Sequence, residues 1–268
     1  MMLLHGDGKA SLDHIYVQPD PRAYFGTLRK FDYRIPQLAK PHFRHLITQL
    51  RRRQPTVTVL DLGCSYGVNG ALLRCDASMD ELYERYGGPD ASAQTRDALL
   101  VRDRALVAAR PGPAGVRLVG LDVSEEALAY AWAAGFIDEA VRADLERAGP
   151  TPAQRARLAP TDLVISTGCI GYVGERTLSR VVAACDRPPW MAHFVLRMYP
   201  FEPLRECLDG LGYRTIRDSR LFPQRMFAAP EEQAQVMATL AEVGVDPTGL
   251  EADGWLYAQL FISRPRST

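Results

Sequence analysis

The strongest constraint on the fold of this chain is a series of short apolar runs separated by helical stretches. Apolar residues dominate most of the runs, and the runs are nearly continuous rather than alternating. Strands of this kind are typical of parallel sheets, because helices cover both faces of such a sheet. The sequence therefore predicts an α/β fold whose first strands lie in VTVLDL, VRLVGLDV, AVRADL, DLVISTG and MAHFVLRMY.

The end of the chain has a different pattern. Two extended segments, YRTIRDSRLF and WLYAQLFISRP, flank the helical segment PEEQAQVMATLAEVG. Such a pair is compatible with an antiparallel hairpin at one edge of the sheet. We therefore expect a mostly parallel sheet with helices on both faces and a C-terminal antiparallel hairpin.

Two segments stand apart from the alternation of strands and helices. Residues 1–53 combine an irregular start with a helix predicted from about Pro36 to Arg53, and we expect an N-terminal helical arm or lid. Residues 54–268 would then form one ligand-binding domain. Within it, residues 76–115 form a helical excursion, which is either a surface elaboration or part of a cap over a pocket.

Composition limits the partners of the chain. Lys plus Arg, 32 residues, balance Asp plus Glu, 32 residues, so no general positive field is available for nucleic acid. Five scattered cysteines without a Cys-x-x-Cys pair fit a reducing cytoplasm. The longest apolar run, ALAYAWAAGFI, is too short to cross a membrane. His42 and His45 have no further ligand at metal-binding spacing, so we expect no metal, and the oligomeric state stays open.

A turn of small residues follows the first predicted strand. Gly63, Ser65, Gly67 and Gly70 lie between Asp61 and the next helical stretch. Small residues allow a ligand to approach the backbone closely, and the start of the helix offers N–H groups to it. Tight packing inside the turn would explain the same residues. The turn alone is therefore compatible with a ligand site and with a purely structural role.

Acidic residues end the next two predicted strands. Asp122 can accept hydrogen bonds from the vicinal hydroxyls of a ribose, and it is left free to do so because Ser124 can cap the following helix. Asp144 is placed to bind an adenine amine, or it is a surface carboxylate paired with Arg142. The carboxyl ends of parallel strands meet at one edge, so the turn and both carboxylates predict one nucleotide-type site.

The three strand ends together resemble those of the class I S-adenosylmethionine-dependent methyltransferases. The segment DLGCSYG matches the acidic-Leu-Gly-x-Gly-x-Gly motif of that family, with Ser65 in place of the middle glycine. The resemblance covers about residues 57–200 and, more loosely, the C-terminal hairpin. It implies a Rossmann-like seven-stranded sheet whose last strand is antiparallel, and S-adenosylmethionine (SAM) as cofactor. The G-x-G-x-x-G fingerprint of dinucleotide dehydrogenases is absent.

The resemblance also implies a position for each part of the cofactor. Asp122 would bind the ribose, and Asp144 would bind the adenine. The residues expected around the amino acid part, the sulfonium and the methionyl chain are Asp61, Gly63, Gly67, Thr167 and Gly168. Neighbouring residues that complete the expected cofactor contacts are Ser65, Asn69, Val123 and Leu145.

Methyl transfer requires mainly alignment and the exclusion of water, so the expected catalytic residues are aromatic walls and polar anchors. Tyr172 is the first candidate to orient or deprotonate the substrate, with packing under a lid as the alternative. Arg197 lies near the end of an apolar strand and needs a partner, which is either a substrate carboxylate or an internal acid. Tyr16, Tyr24 and Tyr33 either form a lid over a cation or fasten the arm to the core.

These features predict a methyltransferase that acts on a small metabolite, which carries a carboxylate if Arg197 is its anchor. A second hypothesis keeps the cofactor and changes the reaction. Some proteins of this fold cyclise SAM to azetidine-2-carboxylate and release methylthioadenosine, and an aromatic arm is compatible with that reaction. A third hypothesis, a binding module without catalysis, is opposed by the intact glycine turn and by both acidic strand ends.

Overall fold

The computed structural model describes residues 12–266 of the 268-residue chain. Its strands are β1 (Val57–Leu62), β2 (Val116–Asp122), β3 (Glu139–Arg142), β4 (Leu163–Thr167), β5 (Trp190–Leu196), β6 (Tyr213–Met226) and β7 (Trp255–Pro265). They form one seven-stranded sheet in the order β3-β2-β1-β4-β5-β7-β6.

The predicted α/β architecture is confirmed. β1 to β5 pair in parallel, whereas β7 is antiparallel to both of its neighbours, β5 and β6. The last two strands therefore form the expected antiparallel hairpin at one edge of the sheet. The seven strands and the antiparallel last strand match the Rossmann-like sheet that the resemblance to class I methyltransferases implied.

The described residues form eleven α-helices. They are α1 (Arg22–Leu28), α2 (Ile35–Arg51), α3 (Val68–Arg74), α4 (Met79–Gly87), α5 (Pro89–Ala93), α6 (Arg96–Ala109), α7 (Glu125–Ala133), α8 (Pro152–Leu158), α9 (Glu175–Ala184), α10 (Glu202–Gly210) and α11 (Pro230–Glu242). The helices predicted from about Pro36 to Arg53 and in PEEQAQVMATLAEVG are present as α2 and α11, whereas the start of the chain, expected to be irregular, contains α1. Among the described residues, none of these helices has both the length and the apolar character needed to cross a membrane.

Helices cover both faces of the sheet. On one face, Phe43 of α2 packs against Phe194 of β5, with their ring centroids 5.7 Å apart. On the other face, Leu178 of α9 and Leu208 of α10 are buried in one apolar cluster with Val164 of β4. Every residue of β1 is buried. Burial from both sides explains why the strands read as continuous apolar runs rather than as alternating ones.

The excursion and the arm pack against each other. Phe25 of α1 stacks on Tyr86 of α4, with ring centroids 4.7 Å apart. The fully buried Asp103 of α6 accepts hydrogen bonds from the hydroxyls of Tyr86, at 2.7 Å, and of Tyr130 on α7, at 2.6 Å. The excursion is therefore tied both to the arm and to a helix of the sheet domain. We refer to residues 12–34 together with α4 as the cap.

The predicted arm, residues 1–53, divides into parts with different surroundings. Residues 1–11 lie outside the described residues. α2 packs against the sheet, and seven of its side chains are buried, so it belongs to the layer that covers the sheet. Residues 12–34 lie between the excursion and the carboxyl edge of the sheet. The boundary at residue 53 and the role of this arm as a lid stay predictions.

Candidate functional site

The turn after β1 is left-handed at three positions. The backbone φ angle is 65° at Gly63, 49° at Ser65 and 76° at Gly67. A Cβ atom on Gly63 would lie 2.8 Å from that of Cys169, and one on Gly67 would lie 3.0 Å from that of Phe136. At both positions, glycine therefore permits close packing as well as the left-handed backbone conformation. Ser65 adopts the same backbone with a side chain, at a cost of about 1–2 kcal/mol.

Asp122 at the end of β2 holds this turn. Its Oδ2 accepts a hydrogen bond from the N–H of Ser65 at 2.8 Å, and its Oδ1 accepts one from the N–H of Ser124 at 2.9 Å. Burial raises the pKa of Asp122, and these hydrogen bonds oppose the shift. Ser124 caps α7 as predicted. The structure corrects the expectation that this cap leaves Asp122 free, although a carboxylate offers about four acceptor sites and these contacts do not fill all of them. Val123 beside it is 62% exposed.

Asp61 at the end of β1 lies in a buried polar cluster. Its Oδ1 accepts a hydrogen bond from Nδ2 of Asn69 at 2.9 Å, and the same nitrogen lies 3.1 Å from Oγ1 of Thr167. Oδ2 is buried and has no partner among the described residues. Burial raises the pKa of Asp61 to about 7, against the hydrogen bond from Asn69. An unpartnered buried carboxylate oxygen is costly, so this atom suits a cation or an N–H donor from a ligand.

The buried polar cluster continues into the cap. The side chain of Tyr33 lies near those of Thr167 and Tyr24. Burial raises the pKa of Tyr33 and of Tyr24, so both hydroxyls stay protonated. Tyr24 is 4% exposed and Tyr33 is 8% exposed. Of the predicted lid tyrosines, Tyr33 thus lies next to the predicted cofactor residue Thr167, and Tyr24 lies next to Tyr33.

Tyr16, the third predicted lid residue, lies near the end of β2. Its carbonyl oxygen accepts a hydrogen bond from Oγ of Ser124 at 2.6 Å, and its ring meets the ring of Tyr24 edge to face at 5.6 Å. Burial raises the pKa of Tyr16 to about 12, while the charge of Arg225 lowers it and the charge of Asp122 raises it. The phenol therefore lies within the electrostatic influence of residues from β2 and β6.

The sequence analysis missed three tyrosines that contribute contacts within the cap or between the cap and the sheet domain. The hydroxyl of Tyr66 contacts the carbonyl oxygens of Ile15 and Gln18, at 3.0 and 2.8 Å. Tyr83 donates a hydrogen bond to a backbone carbonyl of the cap, and Tyr86 stacks on α1. Tyr83 and Tyr86 are three residues apart on α4, a spacing that predicts one shared helix face. That spacing was the available signal for their role.

The strand end after β3 is more open. Asp144 is exposed, and its Oδ1 accepts hydrogen bonds from the N–H groups of Glu146, at 3.1 Å, and Arg147, at 3.2 Å. Arg147 is also its ion-pair partner, whereas Arg142 pairs with an acid of α7. Leu145 is 2% exposed and packs in the apolar core. Contacts of Asp144 and Leu145 with an adenine ring stay predictions.

The loop after β4 faces both the turn and β6. A Cβ atom on Gly168, where φ is 80°, would lie 2.9 Å from Nε2 of Gln224. Burial raises the pKa of Cys169 to about 12, so its thiol stays protonated. Tyr172 is 46% exposed and lies beyond the buried cluster. A catalytic role for Tyr172 therefore stays a prediction.

Arg197 has an internal acidic partner. Its Nη1 lies 2.6 Å from Oε2 of Glu251, and its Nη2 donates a hydrogen bond to the carbonyl oxygen of Asp246 at 2.7 Å. The side chains of Arg197 and Glu251 are 12% and 2% exposed. Of the two partners that the sequence left open, the structure thus supplies the internal acid. The guanidinium no longer requires a substrate carboxylate.

The described residues contain no group of three or more side chains arranged to hold a metal ion. The residues that the structure brings together at the carboxyl edge are instead Asp61, Asn69, Asp122, Thr167, Gly168, Tyr16, Tyr24 and Tyr33. This edge combines buried carboxylates with aromatic rings. Such an arrangement can bind a ligand that is cationic in one part and rich in hydroxyls in another.

Comparisons with known proteins give matches at the level of structure. No family model and no curated protein matches the sequence. A TehB-like SAM-dependent methyltransferase from Corynebacterium glutamicum ATCC 13032 is 13% identical over 84% of this chain and 96% of that chain, with a TM-score of 0.41. Magnesium protoporphyrin IX methyltransferase from Synechocystis PCC 6803 is 14% identical over 84% and 79%, with a TM-score of 0.40. The plantazolicin methyltransferase BpumL is 12% identical over 87% and 85%, with a TM-score of 0.44. Likeness at these values assigns neither a family nor an activity to this chain.

Proposed function

We propose that this protein is a SAM-dependent methyltransferase that acts on a small molecule. The observation that carries the proposal is the buried carboxylate of Asp61, with Oδ2 unpartnered, beside Asp122 and under an aromatic cap. An ammonium group fits Asp61 Oδ2, and ribose hydroxyls fit the acceptor sites that remain on Asp122. A sulfonium cation suits the nearby faces of Tyr16 and Tyr24.

The remaining part of the cofactor also has candidate contacts. Val123 follows Asp122 directly and exposes most of its apolar surface, which suits the face of an adenine ring. Asp144 ends the next strand and is open to solvent, so its carboxylate is available to an exocyclic amine. Both contacts are part of the proposal, and they extend the site along the edge from β1 through β2 to β3.

Bound SAM supplies a methyl group that its sulfonium already activates. The residues of this chain then have to bind and orient the cofactor and the acceptor and to exclude water. Alignment alone contributes about 7–11 kcal/mol in reactions of this kind. The protonated hydroxyls of Tyr24 and Tyr33 serve as hydrogen-bond donors rather than as bases. Tyr172 remains our candidate for contact with the acceptor. A carboxylate on the acceptor is not required, because Arg197 is already paired.

A second reaction at the same site is the cyclisation of SAM itself to azetidine-2-carboxylate, with release of methylthioadenosine. The observation that favours it is the dense packing of the cap, in which Tyr24 and Tyr33 are nearly buried and Phe25 stacks on Tyr86. A site enclosed by packed aromatic rings offers little room for a second substrate.

Titration calorimetry with SAM tests the cofactor site. Replacement of Asp122 by Asn removes the charge that would strengthen its hydrogen bonds to the ribose, which are worth about 1.5–3 kcal/mol. We expect an affinity about 10- to 150-fold lower than that of the wild type. Asp218→Asn is a matched control, because Asp218 lies on β6 and pairs with Arg220 on the same strand. Unchanged affinity in Asp122→Asn would refute the ribose assignment.

Product analysis separates the two reactions. The wild-type protein is incubated with SAM alone and the adenosyl products are identified by mass spectrometry. Methylthioadenosine without an acceptor would support cyclisation. S-adenosylhomocysteine that forms only when an acceptor is added would support methyl transfer. A protein that binds neither SAM nor S-adenosylhomocysteine would rule out both reactions.

A further inference from the structure

Gln224 is a buried amide at the carboxyl edge of the sheet. The residue is 2% exposed, and its Oε1 is buried without a hydrogen-bond partner among the described residues. Its Nε2 lies against Gly168, at the distance where a Cβ atom on that glycine would collide with it. Because Gly168 has no side chain, the amide of Gln224 can pack directly against its backbone.

A β-bulge places Gln224 at this position. The pairing of β6 with β7 shifts its register between Pro223 and Arg225, so Gln224 is an extra residue in the strand. Bulges re-aim side chains and are common beside active sites. The carbonyl oxygen of Gln224 accepts a hydrogen bond from the N–H of Arg34 at 2.8 Å, which ties the bulge to the cap next to Tyr33.

Gln224 approaches the site from the side opposite to the residues proposed to bind the ammonium group and the ribose. Asp61 and Asp122 end β1 and β2, whereas Gln224 comes from β6, the strand at the far edge of the sheet. Its side chain meets Gly168 at the end of β4, between these two groups. An acceptor for the methyl group would have to approach from this side.

A buried amide oxygen without a hydrogen-bond partner lowers the stability of the folded protein. An apolar side chain of similar shape would avoid that cost. A purely structural glutamine would be expected to find a partner within the protein. The unsatisfied oxygen of Gln224 is therefore best explained by a ligand that supplies the missing donor.

We propose that Gln224 orients the acceptor, and that its Oε1 accepts a hydrogen bond from an O–H or N–H group of that molecule. This inference rests on the proposed function and specifies its substrate class. The acceptor would be a small alcohol, phenol or amine, because a thiol is a weak donor. A neutral amide does not take up a proton at neutral pH, so Gln224 positions the acceptor without acting as a base.

The first test measures thermal unfolding of the ligand-free protein. Gln224→Met removes the unsatisfied amide and keeps its volume, so we expect the unfolding midpoint to rise by about 2–4 °C. Gln259→Met is the matched control, because Nε2 of Gln259 donates to the carbonyl oxygen of Asp218 at 2.9 Å. The control should lower the midpoint. A lower midpoint in Gln224→Met would show that the amide has a protein partner and would overturn the proposal.

The second test measures SAM affinity by calorimetry and methyl transfer to three probes: catechol, ethanolamine and ethanethiol. We expect the SAM affinity of Gln224→Met to stay within twofold of wild type. We expect kcat/KM for catechol or ethanolamine to fall at least tenfold, and to fall less for the thiol. A tenfold loss of SAM affinity would assign Gln224 to the cofactor instead and overturn the proposal.

The remaining outcomes separate this inference from the proposed function. A wild-type protein that does not bind SAM would refute the proposed function, whatever the midpoint of the Gln224→Met variant. A wild-type protein that binds SAM and methylates only the thiol, or none of the probes, would overturn the assigned acceptor class. Equal kcat/KM values for the wild type and Gln224→Met would show that the amide does not orient the acceptor.

Discussion

Replacement of Asp61 by asparagine tests the electrostatics of the buried polar cluster. The substitution removes a buried charge and keeps the Oδ1 that accepts a hydrogen bond from Asn69. Burial raises the pKa of Asp61 from 3.8 to about 7 in the folded protein. The folded chain therefore holds this proton more tightly than the unfolded chain does, so the stabilisation is fully present below about pH 4 and is lost as the pH rises through about 7.

The size of the effect follows from that shift. A difference of about three pKa units, at about 1.4 kcal/mol per unit, gives at most about 4 kcal/mol between pH 4 and pH 8. The Asp61→Asn variant lacks this pH-dependent contribution to the free energy of unfolding. The free energy of unfolding of Asp61→Asn minus that of the wild type should therefore increase steadily across this range. It should be most positive at pH 8, where the wild type carries a buried carboxylate.

Urea denaturation at pH 5, 6, 7 and 8 measures the difference directly. Asp144→Asn is the control, because Asp144 is exposed and its curve should run parallel to that of the wild type. Parallel curves for the wild type and Asp61→Asn would refute the assignment of a raised pKa to Asp61. Under the proposed function, SAM affinity should also rise with pH through about 7 in the wild type only, since an ionised Asp61 binds the ammonium group.

Three further substitutions test the supports of the site, each by urea or thermal denaturation. Asp103→Ala leaves the partly buried guanidinium of Arg85 without its carboxylate partner, so it should lower the free energy of unfolding by about 3–5 kcal/mol. A loss below about 1 kcal/mol would contradict the importance of this ion pair. Gly67→Ala places a Cβ atom 3.0 Å from neighbouring side chains, at a residue whose φ is 76°. It should therefore destabilise the protein by at least about 1–2 kcal/mol. The control Gly26→Ala, on α1 with open space around it, should not destabilise the protein. Arg197→Met should cost about 3–5 kcal/mol because it strands the buried Glu251, and unchanged stability would speak against the internal pair.

The sheet was predictable because its signal is local. Each central strand is buried on both faces, so its residues are apolar in sequence whatever their distant neighbours are. The hairpin of β6 and β7 could be predicted for a related reason, since two extended segments on either side of one helix leave few ways to pair. The glycine turn and the acidic strand ends were located by position alone, because parallel strands bring their carboxyl ends to one edge.

The partners of the polar side chains were not predictable in the same way. Arg197 meets Glu251 across 54 residues of sequence, and nothing in the local pattern of either segment indicates the other. Asp122 binds the N–H of Ser65 only because the turn after β1 folds over the end of β2. Gln224 owes its position to a single extra residue in β6, and periodicity arguments assume regular strands. Contacts that depend on register or on chain crossing require the fold itself.

Two of the hydrogen bonds that fasten the cap lie far apart. Oγ of Ser124 donates to the carbonyl oxygen of Tyr16 at one end, and the N–H of Arg34 donates to the carbonyl oxygen of Gln224 at the other. Under the proposed function, a cap that acts as a lid would have to open at one or both of these fastenings before a ligand beneath it could leave. The rate at which the finished product leaves would then be set by the cap, and substitutions that weaken either fastening would speed up turnover even as they lower affinity.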